Sequence, residues 1–413
     1  MPTAPDHADV AVPEPDLTPE VLIGRAASFR QALRDAQIET EARGTHSPEM
    51  HEAFVEAGFY RTLQPRRFGG YEFDLPTFAK VIVEIARGCS STGWCLCLAS
   101  GHALQVGSFY SEEAQAEIFG PNGDFRAPFR VQPSGTATPV DGGYVIEGRW
   151  DYCSGAPYST HFMCGALVAG SKPPAILMVV VPPSGWTMLD DWGGDATLGL
   201  RGSGSNTVVV EGVHVPERHT AALSVEDADI GSGTIGSRLH GNPMYAGRFM
   251  SFFHSELASV LVGTARAALD ESEEILRSRK TVMPPQLLRY EHPDFQRDFG
   301  LALGLVDAAE AILIHSTQAY MAYCARGPAG GEPFSVEEDI RLYATLQQAG
   351  RLAWEAVELL FRTAGSTAAK RDQKMQRYLR DMAMYRGHIA AQFTNTATSA
   401  ARAHFGLPFR MIP

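Results

Sequence analysis

The sequence predicts a mainly α-helical protein with a central β domain. Apolar residues recur with helical spacing up to about residue 125 and again after about residue 240, whereas the period is two between them. The length of 413 residues suits two or three domains. We therefore expect an N-terminal helical domain, a β-barrel or β-sandwich and a C-terminal four-helix bundle. The predicted boundaries are a flexible leader at 1–16, the helical domain at 17–125, the β domain at 126–222 and the bundle at 223–413.

The N-terminal part contains start and stop signals for several helices. The leader is acidic and Pro-rich and has neither the basic start nor the apolar core of a signal peptide. Ser47 followed by Pro48 predicts a helix start, because serine caps the first N–H groups and proline suits the first turn. A break near Gly88 divides the next apolar stretch into two helices, and Gly120 ends a short helix.

The middle part has the turn and strand signals of a β domain. Asp141-Gly142 separates two alternating stretches and predicts a hairpin. The Gly-rich stretch 201–206 precedes a strand rather than a helix, so it does not indicate a dinucleotide site, and Arg201, Ser203 and Ser205 are expected only to shape a turn. Further strands are expected at 161–170, 174–182, 185–190 and 206–216.

The C-terminal part predicts four long amphipathic helices joined by short connections, which is typical of a four-helix bundle. Each of these helices is expected to exceed 20 residues. Their expected ranges are 249–280, 292–327, 336–365 and 374–406.

Composition excludes several classes of protein. Lys and Arg number 35 against 47 Asp and Glu, and the net charge of −12 argues against nucleic-acid binding. No run of 18 apolar residues is present, so no membrane span is expected. Six cysteines without a C-x-x-C pair indicate reduced thiols and a cytoplasmic protein. The cysteines and histidines lack the spacing of a metal site, and no metal is expected.

Four segments together resemble the acyl-CoA dehydrogenase superfamily, over roughly residues 20 to 408. They are the strand pair at 198–219, the first bundle helix at 259–280, the last helices at 362–388 and the middle of the β domain at 140–168. The last of these is similar to the G-x-W-x-x-x-S-G segment that borders the flavin in that superfamily.

Two departures favour a particular branch of that superfamily. Acyl-CoA dehydrogenases usually carry a catalytic Glu shortly after an Arg-Asp pair, whereas no Asp or Glu follows Arg380-Asp381 here and His388 occupies that place. The segment 90–103 also resembles the oxygenase components of two-component flavin monooxygenases, such as p-hydroxyphenylacetate hydroxylase. The resemblance therefore favours a monooxygenase over a dehydrogenase.

The resemblance implies hydroxylation of an aromatic, phenolic small molecule through a C4a-hydroperoxyflavin. Reduced FMN or FAD, bound without a covalent bond, would come from a separate reductase, and O2 is the co-substrate. A homotetramer is expected. The alternatives are a relative that oxygenates nitrogen or sulfur, a true acyl-CoA dehydrogenase, and a flavin-free binding or scaffolding protein.

The resemblance also implies roles for individual residues. His388 is expected to be the catalytic base, on the same helical face as Asp381, with Ser154 as a second catalytic group. Several of these residues have a structural alternative: a bundle-core or surface histidine for His388, core packing for Trp94 and His102, a β-turn at Ser154, a solvated helix end for Arg279 and a helix C-cap for Gly365. The expected flavin contacts are Trp94, Gln132, Ser134, Cys153, Ser154, Gly155, Arg279, Ala364 and Gly365, and the expected substrate contacts are His102 and Ser159.

Overall fold

Eight helices form the N-terminal part of the protein. The computed structural model describes residues 9–223, 230 and 233–408. The break at Gly88 and the helix end before Gly120 are confirmed. The helices are α1 (Pro19–Ser28), α2 (Arg30–Asp35), α3 (Gln37–Arg43), α4 (Pro48–Glu56), α5 (Leu75–Gly88), α6 (Ser90–Ser100), α7 (Ala103–Phe109) and α8 (Glu112–Phe119).

Local chemistry explains two of these boundaries. Ser47 Oγ accepts a hydrogen bond from Met50 N at 3.2 Å, so the predicted N-cap of α4 is confirmed. Between α5 and α6 the chain becomes extended at Cys89. Gly88 is required there because a Cβ would lie 2.7 Å from Leu33 Cβ.

The second half of the expected leader is docked on the protein. Val10 N donates to Arg67 O at 2.9 Å, and Glu14 forms an ion pair with Arg25 at 2.6 Å. Residues 1–8 of the expected leader lie outside the described residues. The flexible-leader prediction therefore does not hold for residues 9–16, because backbone and side-chain partners hold them.

The β domain is one seven-stranded mixed sheet. The strands are β1 (Phe129–Val140), β2 (Gly143–Trp150), β3 (Phe162–Val168), β4 (Ile176–Val181), β5 (Thr187–Met188), β6 (Val208–Pro216) and β7 (Thr220–Ala222). Their order is β5-β6-β2-β1-β3-β4-β7, with β1 and β3 parallel and the other pairs antiparallel. Strands β4 and β6 contact each other although three strands lie between them in this order, so the sheet curves back on itself around one core, as in the predicted barrel. The hairpin predicted at Asp141-Gly142 joins β1 to β2.

Three long helices and three shorter ones form the C-terminal part. The fourth predicted helix is wrong as a single element, because it ends at Arg386 and resumes at Phe393. Gly387 and His388 lie in the break, where His388 N donates to Tyr385 O at 2.8 Å. The helices of this part are α9 (Ile235–His240), α10 (Phe249–Ser278), α11 (Pro293–Arg326), α12 (Val336–Ala364), α13 (Lys374–Arg386) and α14 (Phe393–His404).

By length and composition alone, α11 could cross a membrane, although it contains no run of 18 apolar residues; it is the one such helix in the described part of the chain. Of its most apolar 18-residue stretch, 28% is buried. The helix packs along α10 and α12, as a bundle helix does.

Helix α10 connects the bundle to the N-terminal helices, because it packs on α5 and α6 as well as on α12. Asp381 of α13 connects the bundle to the β domain. It is buried, and its Oδ1 accepts a hydrogen bond from Leu200 N at 2.7 Å. The three parts of the fold therefore meet around α6, the loop after β2 and the end of α13.

Candidate active site

Trp94 of α6 and Ser154 of the loop after β2 are joined across the boundary of two parts of the fold. Trp94 Nε1 donates to Ser154 Oγ at 3.0 Å, and both side chains are buried. Ser154 Oγ lies 2.7 Å from Ser205 Oγ, which lies 2.6 Å from Ser203 Oγ. When Ser203 donates to Ser205 and Ser205 donates to Ser154, the Ser154 proton remains available to a ligand. The turn role predicted for Ser203 and Ser205 misses this long-range contact.

A strained loop holds Ser154 in place. Tyr152 has a φ of +62°, which is uncommon for a residue with a side chain. Gly155 has a φ of +90°, and a Cβ there would lie 2.9 Å from both Ala99 Cβ and Cys95 O. Gly155 therefore allows the loop to approach α6 closely. The space that a side chain would occupy is filled by α6.

His388 reaches the same place from the bundle, although not from a helix. The predicted alignment with Asp381 on one helical face is wrong, because α13 ends before His388. The His388 ring lies edge-on to Trp94, with centroids 6.0 Å apart and planes at 74°. The break after α13 therefore brings an imidazole to the Trp94–Ser154 pair.

The hydrogen bonds of His388 contradict its expected role as a base. His388 Nδ1 accepts a hydrogen bond from Ala390 N at 3.1 Å. A backbone N–H only donates, so in the neutral ring the proton lies on Nε2. Burial, together with the charge of Arg130, lowers the pKa of His388 to about 4. At pH 7, His388 therefore presents a hydrogen-bond donor to a ligand rather than a lone pair.

His102 has the opposite tautomer. His102 Nδ1 donates to Ala127 O at 2.9 Å, which leaves the lone pair on Nε2. Nε2 lies 3.8 Å from Glu256 Oε2, and these two side chains are only 2% and 1% exposed. Within the described residues, neither Glu256 oxygen has a hydrogen-bond partner, and burial raises the pKa of this carboxyl well above its usual range. The His102 ring lies edge-on to Phe129 at 5.5 Å, with Phe253 at 6.2 Å.

Three polar residues alternate along the first half of β1. They are Arg130, Gln132 and Ser134. The register between β1 and β3 shifts between Arg130 and Gly135, and such bulges are common next to active sites. Arg130 Nη2 donates to Gln132 Oε1. The sequence predicts Gln132 and Ser134 as ligand contacts but contains no local signal for Arg130.

Two of the expected ligand contacts are used by the fold itself. Cys153 Sγ donates to Trp150 O at 3.1 Å inside the core of the sheet, and burial raises the pKa of this thiol to about 12. Ser159 Oγ donates to Gly155 O at 2.8 Å. Cys153 as a flavin contact and Ser159 as a substrate contact are therefore not supported for their side chains.

The remaining expected flavin contacts form a second group around Arg289, a residue that the sequence does not predict. Arg279 ends α10, as expected, and its carbonyl accepts from Arg289 N at 2.9 Å. Arg289 Nη1 donates to Ala364 O at 2.9 Å, and Gly365 follows α12 with a φ of +87°. Two adjacent cations therefore lie beside the Ala364-Gly365 turn.

Family models cover more than half of the chain. The model of the acyl-CoA dehydrogenase N-terminal domain matches residues 26–122, and that of the acyl-CoA dehydrogenase C-terminal domain matches residues 256–393. Both matches lie in the helical parts of the fold, on either side of the sheet.

Known proteins similar to this chain are flavin hydroxylases. The oxygenase component of a Rhizobium FADH(2)-dependent resorcinol hydroxylase is 29% identical, over 96% of this chain and 97% of that protein. The oxygenase subunit HsaA of a Rhodococcus jostii flavin-dependent monooxygenase is 28% identical, over 93% and 98%. The crystal structure of 3-HSA hydroxylase from Rhodococcus sp. RHA1 superposes with a TM-score of 0.85 at 28% identity, over 95% of this chain and 99% of that one. The chain therefore belongs to the acyl-CoA dehydrogenase family, in which its relatives are oxygenase components of flavin-dependent monooxygenases.

Proposed function

We propose that this chain is the oxygenase component of a two-component flavin monooxygenase that hydroxylates an aromatic, phenolic small molecule. Reduced FMN or FAD comes from a separate reductase, and O2 is the co-substrate. The observation that carries the proposal is the meeting of Trp94, Ser154 and His388, each from a different part of the fold, in a chain whose relatives are flavin hydroxylases.

The residues around Trp94 fit a flavin. Arg130 Nε is buried and has no hydrogen-bond partner within the described residues, so this site has an unused donor. Ser154 can offer a second donor, and the isoalloxazine ring is rich in acceptors. Trp94, Ser154, Gln132 and Ser134 would hold the ring. When bound, the flavin supplies the redox chemistry with O2, while the protein supplies binding, orientation and electrostatics.

The two histidines have complementary proton chemistry. His388 Nε2–H would donate to an oxygen that carries negative charge, and His102 Nε2 would accept a hydrogen bond from a substrate hydroxyl. A hydrogen bond from the hydroxyl to an acceptor makes a phenolic ring a better nucleophile. The Phe129 and Phe253 rings beside His102 provide the apolar, water-excluding wall that such chemistry needs.

The group of residues around Arg289 supports an enzyme that consists of several subunits. Arg279 and Arg289 would hold the phosphate of a flavin, since guanidinium groups match phosphate oxygens. We propose a homotetramer in which these cations serve a neighbouring subunit, because exposed Leu301 and Leu303 leave the outer face of α11 apolar. We place the enzyme in the cytoplasm, where its reductase would supply the flavin.

A dehydrogenase is the weaker candidate, because proton abstraction from a thioester needs a positioned carboxylate. Asp381 is engaged by Leu200 N, and Glu256 lies enclosed beside His102. An oxygenase that acts on nitrogen or sulfur would use the same flavin site, and a panel of substrates separates it from a phenol hydroxylase.

Anaerobic titration tests the proposal. The purified protein is expected to bind reduced FMN or FAD, followed by the change in flavin fluorescence, and Ser154→Ala is expected to weaken this binding. Exposed Ser28→Ala is the matched control and is expected to bind like the wild type. A wild-type protein that binds neither reduced flavin would contradict the proposal and favour a scaffolding role.

A further inference from the structure

Arg130 is a half-buried cation that forms no ion pair within the described residues. Its Nη2 contacts only an uncharged amide oxygen, that of Gln132, and its buried Nε has no partner within the part of the chain that the structure describes. Burial lowers the pKa of this guanidinium, which means that its charge is poorly solvated. A charge in such surroundings is stabilised by an anionic partner.

The nearby carboxylate is already engaged. Asp151 forms an ion pair with Arg149 at 3.2 Å and accepts a hydrogen bond from Thr207 Oγ1 at 3.0 Å. Among the described residues, no carboxylate forms an ion pair with Arg130. Arg130 is therefore available to an anion from outside the chain.

Arg130 belongs to the candidate active site. It contacts Gln132, at the bulge where β1 leaves register with β3. Its charge acts on His388, whose ring lies beside Trp94. Trp94, Ser154 and the neutral His388 ring supply hydrogen bonds but no positive charge. Arg130 supplies that positive charge.

We propose that Arg130 recognises negative charge in the active site and takes a planar, delocalised oxyanion. This inference rests on the proposed function, in which two ligands offer that chemistry. One is reduced flavin, whose hydroquinone loses a ring proton near neutral pH, and the other is the phenolate form of the substrate. The fork of guanidinium N–H groups matches adjacent acceptor atoms on a planar anion. Oxidised flavin has a neutral ring, so Arg130 favours the reduced form.

Binding measurements on Arg130→Met, with Arg130→Lys and Arg341→Met beside it, test this inference. Met keeps the length of the side chain without its charge, and Lys keeps the charge without the fork. Arg341 is the control, because it lies on α12 and its side chain is 69% exposed. For each protein we would measure the dissociation constants of reduced flavin, of oxidised flavin and of a phenol at several pH values, with melting temperatures to confirm folding.

If the anion is reduced flavin, Arg130→Met loses about tenfold or more in affinity for reduced flavin and keeps its affinity for oxidised flavin. If the anion is the phenolate, flavin binding is kept and phenol binding weakens most above the pKa of the phenol. Arg130→Lys is expected to fall between the wild type and Arg130→Met. Wild-type levels of all three affinities in a folded Arg130→Met would overturn the inference, whereas a wild type that binds no flavin would overturn the proposed function itself.

Discussion

At the residue scale, hydrogen-bond partners give two histidines different chemistry. His388 accepts from a backbone N–H through Nδ1, whereas His102 donates to a carbonyl through Nδ1. The free Nε2 is therefore a donor in His388 and an acceptor in His102. Neither tautomer is readable from the sequence, because each is set by a backbone group that only the folded chain brings into reach.

Substitution of His388 tests this assignment. We expect His388→Asn to keep the affinity for reduced flavin while losing at least about tenfold in product formation, because the Nε2–H donor is gone. Nitrogen-15 NMR of the wild type at pH 7 is expected to show His388 protonated on Nε2. A spectrum with the proton on Nδ1, or an unchanged product yield, would remove the donor role.

His46 makes the fold sensitive to acid. Both of its ring nitrogens lack partners among the described residues, and burial, followed by His51 and Arg43, lowers its pKa to about 3. An unfolded histidine titrates near about 6.5, so the unfolded state takes up the proton first. The stability that neutral His46 contributes is complete above about pH 6.5 and is lost as pH falls toward about 3.

The wild type is therefore expected to lose unfolding free energy between about pH 7 and about pH 4.5. His46→Phe is expected to lose up to about 2 kcal/mol less over the same interval. Phenylalanine keeps the contact with Tyr158, whose ring centroid lies 4.7 Å from that of His46. Urea unfolding at both pH values measures the effect. The control is His404→Phe, at a residue whose side chain is 67% exposed, and equal pH slopes for wild type and His46→Phe would contradict the argument.

At the element scale, the loop after β2 and the loop before β6 act together on Ser154. When Ser203 donates to Ser205 and Ser205 donates to Ser154, this chain of hydroxyls leaves the Ser154 proton to the ligand. We expect Ser205→Ala to lower reduced-flavin affinity by roughly twofold to tenfold, the value of one hydrogen bond. Anaerobic titration measures it, with exposed Ser28→Ala as the control. No change in affinity would exclude the hydroxyl chain from flavin binding.

Gly155 tests whether close packing on α6 holds that loop. Gly155→Ala is expected to lower the unfolding free energy by about 1–3 kcal/mol, because it combines a left-handed φ with a contact of 2.9 Å to Ala99 Cβ. Gly142→Ala is the matched control, since Gly142 has a φ of +76° and open space around it. Thermal unfolding compares the two variants. Equal losses would show that the contact with α6 costs nothing beyond the backbone strain.

Elements with local signals were predictable, and those that depend on distant contacts were not. The break at Gly88 and the hairpin at Asp141-Gly142 have signals within a few residues. The split of the last long helix had only a weak signal, because Gly387 alone does not end a helix. Arg130 could not be predicted, because its unpaired state depends on which partners Asp151 has in the folded sheet.

At the scale of the whole molecule, the site exists only where three parts of one chain meet. Trp94 comes from the N-terminal helices, Ser154 from the β domain and His388 from the end of α13. The resemblance predicts these three residues, and the structure brings them together. It assigns Cys153 and Ser159 to the fold, and it places Arg279, Ala364 and Gly365 in a separate group around Arg289.

The ratio of hydroxylated product to reduced flavin consumed tests the central claim most directly. The enzyme, charged anaerobically with reduced flavin and a phenol, would be mixed with O2, and both the product and hydrogen peroxide would be quantified. We predict that most of the reduced flavin is converted into hydroxylated phenol, and that His388→Asn shifts the balance toward hydrogen peroxide. Complete conversion to hydrogen peroxide by the wild type, across a panel of phenols that bind to it, would contradict the account.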